Sequence, residues 1–503
     1  MRTTLLSLIL LLLTLSGPSQ RAAGPVASPD PIDLTVLDQT VQAQMQHHGL
    51  SGVSVAVLAE GGEFVALRSY GEGVAGQPMT PQTQLYIGSQ SKSLAALAVA
   101  QLVEQGHLDL YAPVQQYLPW FTVADPAIAS QIKLVHLLHH TSGLAEAGYP
   151  VVLPLDASLE MAVRALAQAE PTAAPGERFQ YFNHGYVVLA LLIEQVSGQS
   201  YAAYMAEHIF APLGMTNTTA DPSQATALAQ GHNRLFGFAI PKTQPVPLYE
   251  ISAGYILSTT EDMARYAQAM LHDAGGLVSP AMARRIFTPG LENYALGWMV
   301  FDQGATIVHG GATSAFRTEM NLYPQRQRAF VILSSQGHLI DHYVSAPQLA
   351  RSVEAVVLGE TPPLVSTGWS VRWYGWAMGL LVLFLALIHL QSFRTLFGPW
   401  ASWVQQQSPL RQAWSVALSF VIPSMILVVV YSQLQGFFGY RFNLVTAVAM
   451  LPEMMPDLFI LMLIGTIPDY LQGLIKLVWL IRLRQASQTN RNKKSELTKV
   501  ATL

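Results

Sequence analysis

Ser89-Gln90-Ser91-Lys92 sets a hydroxyl and an amine three residues apart, the separation that puts two side chains on one helical face about one turn apart. A serine at a helix N-terminus lies where the helix dipole favours developing negative charge. A lysine beside it, desolvated by an apolar helix, can lose its proton and serve as base. The spacing by itself is weak, since Ser130-Gln131-Ile132-Lys133 repeats it; that second copy runs into LVHLL with no preceding Gly-Ser turn and reads as a solvated helix start. Two further clusters add chemistry to the first copy. Tyr181-Phe182-Asn183 follows a PGERFQ turn, where a phenol can relay a proton and an amide can hold both Lys92 and a substrate carbonyl. Val308-His309-Gly310-Gly311-Ala312 ends a strand on two glycines, which permit close backbone approach. The amide of Ala312 can then join that of Ser89 as an oxyanion hole. Taken singly, the tyrosine is a turn residue with a core ring and the histidine a turn histidine; the three together point to acyl transfer.

These residues need elements that converge. Residues 52–70 read as a hairpin, VSVAVLA and FVALRSY around Glu60-Gly61-Gly62-Glu63. Residues 89–105 read as a helix apolar on nearly all sides. Helical patterns follow at 157–169, 186–196, 201–209 and 261–272, the last with a capping-box spacing of Ser258 and Glu261. Strand-like runs at 296–301, 305–309, 319–323 and 329–334 precede a closing helix at 351–358. Strands at both ends with helices between them predict an α+β domain over residues 30–358, its ends paired in one antiparallel sheet around a helical insert.

Composition adds a second region. The 503 residues are 51% hydrophobic and 12% charged, against about 25% charged in ordinary soluble domains. A net charge of −4 offers no footprint for nucleic acid, and the absence of cysteine excludes disulfides, thiolate metal sites and a cysteine nucleophile. Scattered histidines without carboxylates at ligand spacing predict no metal, and no motif implies a cofactor. Residues 1–24 read as an exported signal peptide, with a retained anchor helix as the alternative. Residues 359–372 read as a linker to a transmembrane region, 373–482, with spans near 373–390, 413–431 and 458–480 and a basic cytoplasmic tail at 483–503. Residues 444–451 are too short to span and are expected at the surface. Arg394 and Arg411 between the first two spans, and six basic residues after the third, place those ends inside and the N-terminal domain outside. Asp469 and Lys476, seven residues apart, share a helical face and are expected to point together into the bundle or to snorkel as an interfacial pair.

The cassettes YIGSQSKSLAALAVAQLVEQGHLDL, LLHHTSGL, PGERFQYFNHGY, IFAPLGMTNT, YILSTTEDMARYAQAM and HGGATSAFRTEM stand in one order over residues 33–358. In these the chain resembles the serine beta-lactamase-related family of class C beta-lactamases, D-alanyl-D-alanine carboxypeptidases and related esterases. The resemblance implies Ser89 as acylated nucleophile, Lys92 as its base partner, Tyr181 as general acid/base, and Asn183, His309, Gly311 and Ala312 at the substrate. His309-Gly310-Gly311 stands where penicillin-active relatives carry Lys-Thr-Gly, so a mostly neutral ring replaces a full cation. Arg317 is a candidate for the missing charge, against an exposed strand arginine; Lys242-Thr243-Gln244 suits a loop. His140 is expected outside the site, in a helix that ends at Gly143. The reading is a membrane-anchored serine hydrolase acting on an ester or amide (D-amino-acid peptide, ester or beta-lactam-like), with a small-molecule or peptide substrate and the lipid bilayer as partners. The alternative is an acylated or ligand-occupied receptor without turnover.

Overall fold

In the computed structural model, residues 31–365, 371–438 and 451–501 are described; the signal segment and all but the last residue of 444–451 lie outside them. The first hairpin forms as β1 (Gly52–Leu58) and β2 (Phe64–Gly71). The C-terminal strands are β7 (Met299–Phe301), β8 (Thr306–Ala312), β9 (Arg317–Tyr323) and β10 (Arg328–Ser334), which join the hairpin in the order β2-β1-β10-β9-β8-β7, every pair antiparallel. Short pairs lie outside this sheet: β3 (Leu85–Tyr86) with β6 (Leu257–Ser258), and β4 (His232–Leu235) with β5 (Phe238–Pro241). The predicted α+β architecture is the one observed.

Both faces of the sheet are covered, so every residue of β1 and β10 is buried, with Ser54, Arg328 and Ser334 as their polar members. Val53, Val55 and Val57 point to one side, against Leu37 and Val41 of α1 (Leu34–His48) and Leu349 and Val353 of α7 (Ala346–Val357). Ala56 and Leu58 point to the other, toward α2 (Ser91–Glu104) and Met263 and Met270 of α6 (Thr260–Leu271). Helix α2 is buried around nearly its whole circumference, as its sequence predicts. Between it and α6 lies the insert, including α3 (Leu134–Leu138), α4 (Leu159–Ala165) and α5 (Asn183–Ser197).

Three local expectations change. Helix α1 is an element the sequence reading passed over, although Asp33 caps it through the N–H groups of Thr35 and Val36 and Gly49 closes it in the left-handed region. Helix α6 is capped one residue later than expected, by Thr259 accepting from Asp262 N–H. Helix α3 ends at Leu138 and not near Gly143, and His140 itself takes φ +56°.

Beyond residue 365 stand α8 (Val371–Leu396), α9 (Pro409–Phe438) and α10 (Pro456–Ala501). Their stretches Trp373–Leu396, Pro409–Val429 and Pro456–Asn490 are long and apolar enough to cross a membrane. The basic tail continues α10 as helix to Ala501. Asp469 and Lys476 do not meet each other: Asp469 lies 3.7 Å from His389 of α8, whereas Lys476 donates to Ser419 Oγ of α9 at 3.0 Å. Seven residues give a shared face, but packing between two neighbours splits it.

The helices dock on the domain through buried polar groups. Asp457, at the start of α10, lies 3.2 Å from His338 Nε2 and accepts from the Tyr374 hydroxyl at 2.8 Å. Just before it, Glu453 pairs with Lys242 at 2.6 Å, and its carbonyl accepts from Asn233. Lys242 thus lies in a loop, as expected.

Candidate active site

The turn that carries Ser89 is built by two glycines. Ser89 sits in the single turn Gly88–Gln90 that leads into α2. Gly88 takes φ +57°, and a Cβ there would lie 2.3 Å from Ala312 N. A Cβ on Gly311 would lie 2.0 Å from the Ile87 carbonyl oxygen. No side chain fits at either place, so the end of β8 rides directly on the turn and the Ala312 N–H comes beside Ser89. Gln90 Nε2 donating to the His309 carbonyl and Thr318 Oγ1 donating to the Ile87 carbonyl fasten the two together.

Lys92 is fully buried and has three partners: Ser89 Oγ at 3.2 Å, Asn183 Oδ1 at 2.8 Å and the Ala253 carbonyl at 2.5 Å. Burial pulls its pKa from 10.5 down to about 7, against the opposing pull of Glu250 and Glu146. Two of the partners can only accept. The neutral amine therefore gives its two hydrogens to Asn183 and Ala253 and turns its lone pair to the one partner with a proton to lose, Ser89.

The Tyr181 ring centroid lies 4.8 Å from Lys92 Nζ and packs on His140 at 4.2 Å. His140, expected outside the site, is a wall of it: its buried ring also meets Tyr294 at 4.8 Å, and Nδ1 accepts from Phe182 N–H, one residue after Tyr181. Burial holds this imidazole neutral, well below its ordinary pKa.

His309 faces inward. Its Nδ1 donates to the Gly310 carbonyl at 2.7 Å, and Nε2 then accepts from the Tyr294 hydroxyl at 3.1 Å. Burial, with Lys92 adding to it, lowers its pKa to about 4. The ring, 3% exposed, is turned to Tyr294, and β8 presents backbone beside the Ser89 turn. Arg317 fits neither reading offered for it. It is buried and its guanidinium is spent on the carbonyls of Thr313, Phe316, Gly337 and His338, clamping two loops.

Two carboxyls went unnoticed in the sequence. Glu146 accepts from Asn183 N–H at 3.3 Å; burial raises its pKa to about 7, although that hydrogen bond and Lys92 oppose the rise. Glu250 is raised to about 7 by burial and by Glu146. Neither belongs to a spacing motif: both stand on single 3-10 turns, Glu146–Gly148 and Leu248–Glu250, that only the fold brings to Lys92. Ser130, by contrast, caps a four-residue helix, is exposed, and donates to the Ala127 carbonyl.

Comparison with known proteins places the domain in a family. The model of the Beta-lactamase family matches residues 37–355. Protein flp of Staphylococcus aureus (strain MW2) is 25% identical over 315 residues, 59% of this chain and 62% of the relative. Unguisins hydrolase ungD' of Aspergillus campestris is 31% identical over 330 residues, 59% of this chain and 60% of that protein. The match thus spans less than two thirds of these curated relatives. A solved structure of the octameric penicillin-binding protein homologue from Pyrococcus abyssi superposes with a TM-score of 0.57 at 26% identity, covering 66% of this chain and 78% of that one.

Proposed function

Since this chain belongs to the Beta-lactamase family, we propose that it is a serine hydrolase that cleaves an ester or amide through an acyl-enzyme on Ser89. The observation that carries this is the division of Lys92's partners, two acceptors and one hydroxyl. Neutral Lys92 takes the proton of Ser89 as Oγ attacks the substrate carbonyl. The N–H groups of Ser89 and Ala312 receive the tetrahedral oxyanion. Tyr181 passes a proton to the leaving alcohol or amine as its bond to carbon breaks, and water attacks the acyl-enzyme by the reverse route. Asn183 holds Lys92 and the substrate.

Neither His309 nor Arg317 offers a cation to a substrate carboxylate, which favours neutral esters and D-amino-acid amides over beta-lactams. The reading includes anchorage in a membrane with the domain on the exported side. Trp373 and Trp376 are exposed at one end of the helices, Trp403 and Trp414 at the other, where Arg394 and Arg411 also lie. Such belts and basic loops are what spans carry at their two interfaces.

A second reading, a receptor acylated without turnover, is favoured by the buried contact of Asp457 with His338 and Tyr374. Mass spectrometry after a fluorophosphonate and, separately, penicillin tests both. The expected result is a phosphonate adduct on Ser89, absent in Ser89→Ala and retained in Ser130→Ala, with turnover of a D-alanyl ester and no lasting penicillin adduct. A stable adduct without ester turnover supports the receptor. No adduct on Ser89 from either reagent overturns the catalytic reading.

A further inference from the structure

The chain from β5 back to Lys92 runs from the foot of the helices to the catalytic amine. At the β4–β5 turn, Gly237 takes φ +84°, and a Cβ on it would lie 2.8 Å from Gly375 Cα, two residues into the first candidate span. Phe236 packs there with Tyr374 and Met378. Its neighbour Phe238, 77% exposed, therefore stands level with the exposed Trp373 and Trp376, the aromatic belt of a membrane interface. From Phe238 the strip passes Lys242, bound to Glu453, and Gln244, which accepts from Ser314 two residues past Ala312. At Leu248 its N–H donates to the Leu155 carbonyl at 2.7 Å, and at Ala253 its carbonyl accepts from Lys92.

Where the strip meets the segment around Leu155, apolar side chains stay uncovered: Val152 is 68% exposed, Leu155 53% and Leu248 47%. Isolated exposed apolar residues are ordinary, but Leu155 and Leu248 are joined by a backbone hydrogen bond on the strip that leads from Phe238. We propose that the Ser89 site is reached from the bilayer surface and takes an amphiphilic ester or amide whose apolar chain lies along Leu155, Leu248 and Phe238. This rests on the hydrolase reading above and deepens it by naming the substrate class. Ser89 would cleave the polar end while the tail stays in lipid or against those side chains.

The test uses the full chain in phosphatidylcholine vesicles and two fluorophosphonates with one reactive head, one bearing a hexadecyl chain and one a short poly(ethylene glycol). In each, Ser89 Oγ bonds to phosphorus, fluoride leaves, and the serine proton goes to Lys92. The readout is the ratio of Ser89 labelling rates, hexadecyl to glycol. The ratio is expected to be at least tenfold in the wild type and to fall at least fivefold in Leu155→Ser/Leu248→Ser. Phe238→Ser, altering one exposed side chain, is expected to lower it as well and stands in if the double variant does not fold. A wild-type ratio near one overturns the proposal. So does a high ratio unchanged in the variants, because local concentration in the vesicle then explains it. Labelling by the glycol probe alone removes the amphiphile and leaves the hydrolase; labelling by neither removes the hydrolase and this inference with it.

Discussion

Ser89–Lys92 and Ser130–Lys133 have the same spacing and opposite fates. The first pair lies on one uninterrupted helical path, a turn at Gly88–Gln90 followed by α2, so Lys92 Nζ comes within 3.2 Å of Ser89 Oγ. The second straddles a break: Ser130 closes one short helix in the αR region, while Lys133 is extended, with ψ 161°, as it opens the next. Three residues make one face only where the backbone between them is helical. Burial separates the pairs further. Lys92 is 0% exposed inside an apolar helix, whereas Ser130 faces water and spends its hydroxyl on its own helix. Chemistry comes from the conjunction of spacing, continuity and desolvation.

The comparison can be broken first at the amine. Lys92→Met is expected to slow fluorophosphonate labelling of Ser89 by about a hundredfold or more, the scale of a lost general base. Lys133→Met should leave it within about twofold; equal losses in the two variants would dissolve the distinction.

Acidity sharpens it next. Because burial brings Lys92 to about 7, the labelling rate should climb about tenfold per pH unit below 7 and level off above. Stability should follow the same group. Between about 7 and its ordinary 10.5 the unfolded chain holds the Lys92 proton and the folded chain does not. Stability from this group therefore rises with pH across that window. The rise in melting temperature from pH 7 to 9.5 should shrink in Lys92→Met; an identical rise would contradict a deprotonated Lys92.

The smallest effect concerns the wall. His140→Ala removes the ring that packs on Tyr181 and the acceptor of Phe182 N–H. It should lower turnover of a D-alanyl ester by about tenfold through misplacement of the phenol, with phosphonate labelling, which needs no leaving-group acid, less affected. Equal losses in both assays would make His140 a folding residue alone.

Much of the domain was legible because periodicity reports burial. The nearly continuous apolar run of β1 and the all-round apolar α2 reflect a sheet covered on both faces, and the paired ends follow from strands lying at both ends of the sequence. The spans were legible for the same reason, since length and hydropathy alone meet the thickness of a bilayer. Less legible were groups whose role depends on what packs beside them. Arg317 reads as a surface or ligand arginine until four carbonyls are seen around it. Asp469 and Lys476 read as one pair until α8 and α9 separate them.

By itself, then, the sequence determined the elements, the continuity of Gly88-Ser89 into α2, and the residue types that can exchange a proton. These are local properties, carried by neighbours a few residues apart and by the apolar pattern. Tertiary structure alone decided the distances between 89, 183 and 253, the inward turn of His309, the arrival of Glu146 and Glu250 at Lys92, and the docking of Asp457 under the domain. Each joins segments brought together only when the core closes, and desolvation, which sets the acidity of Lys92, exists only once that closure has removed the water.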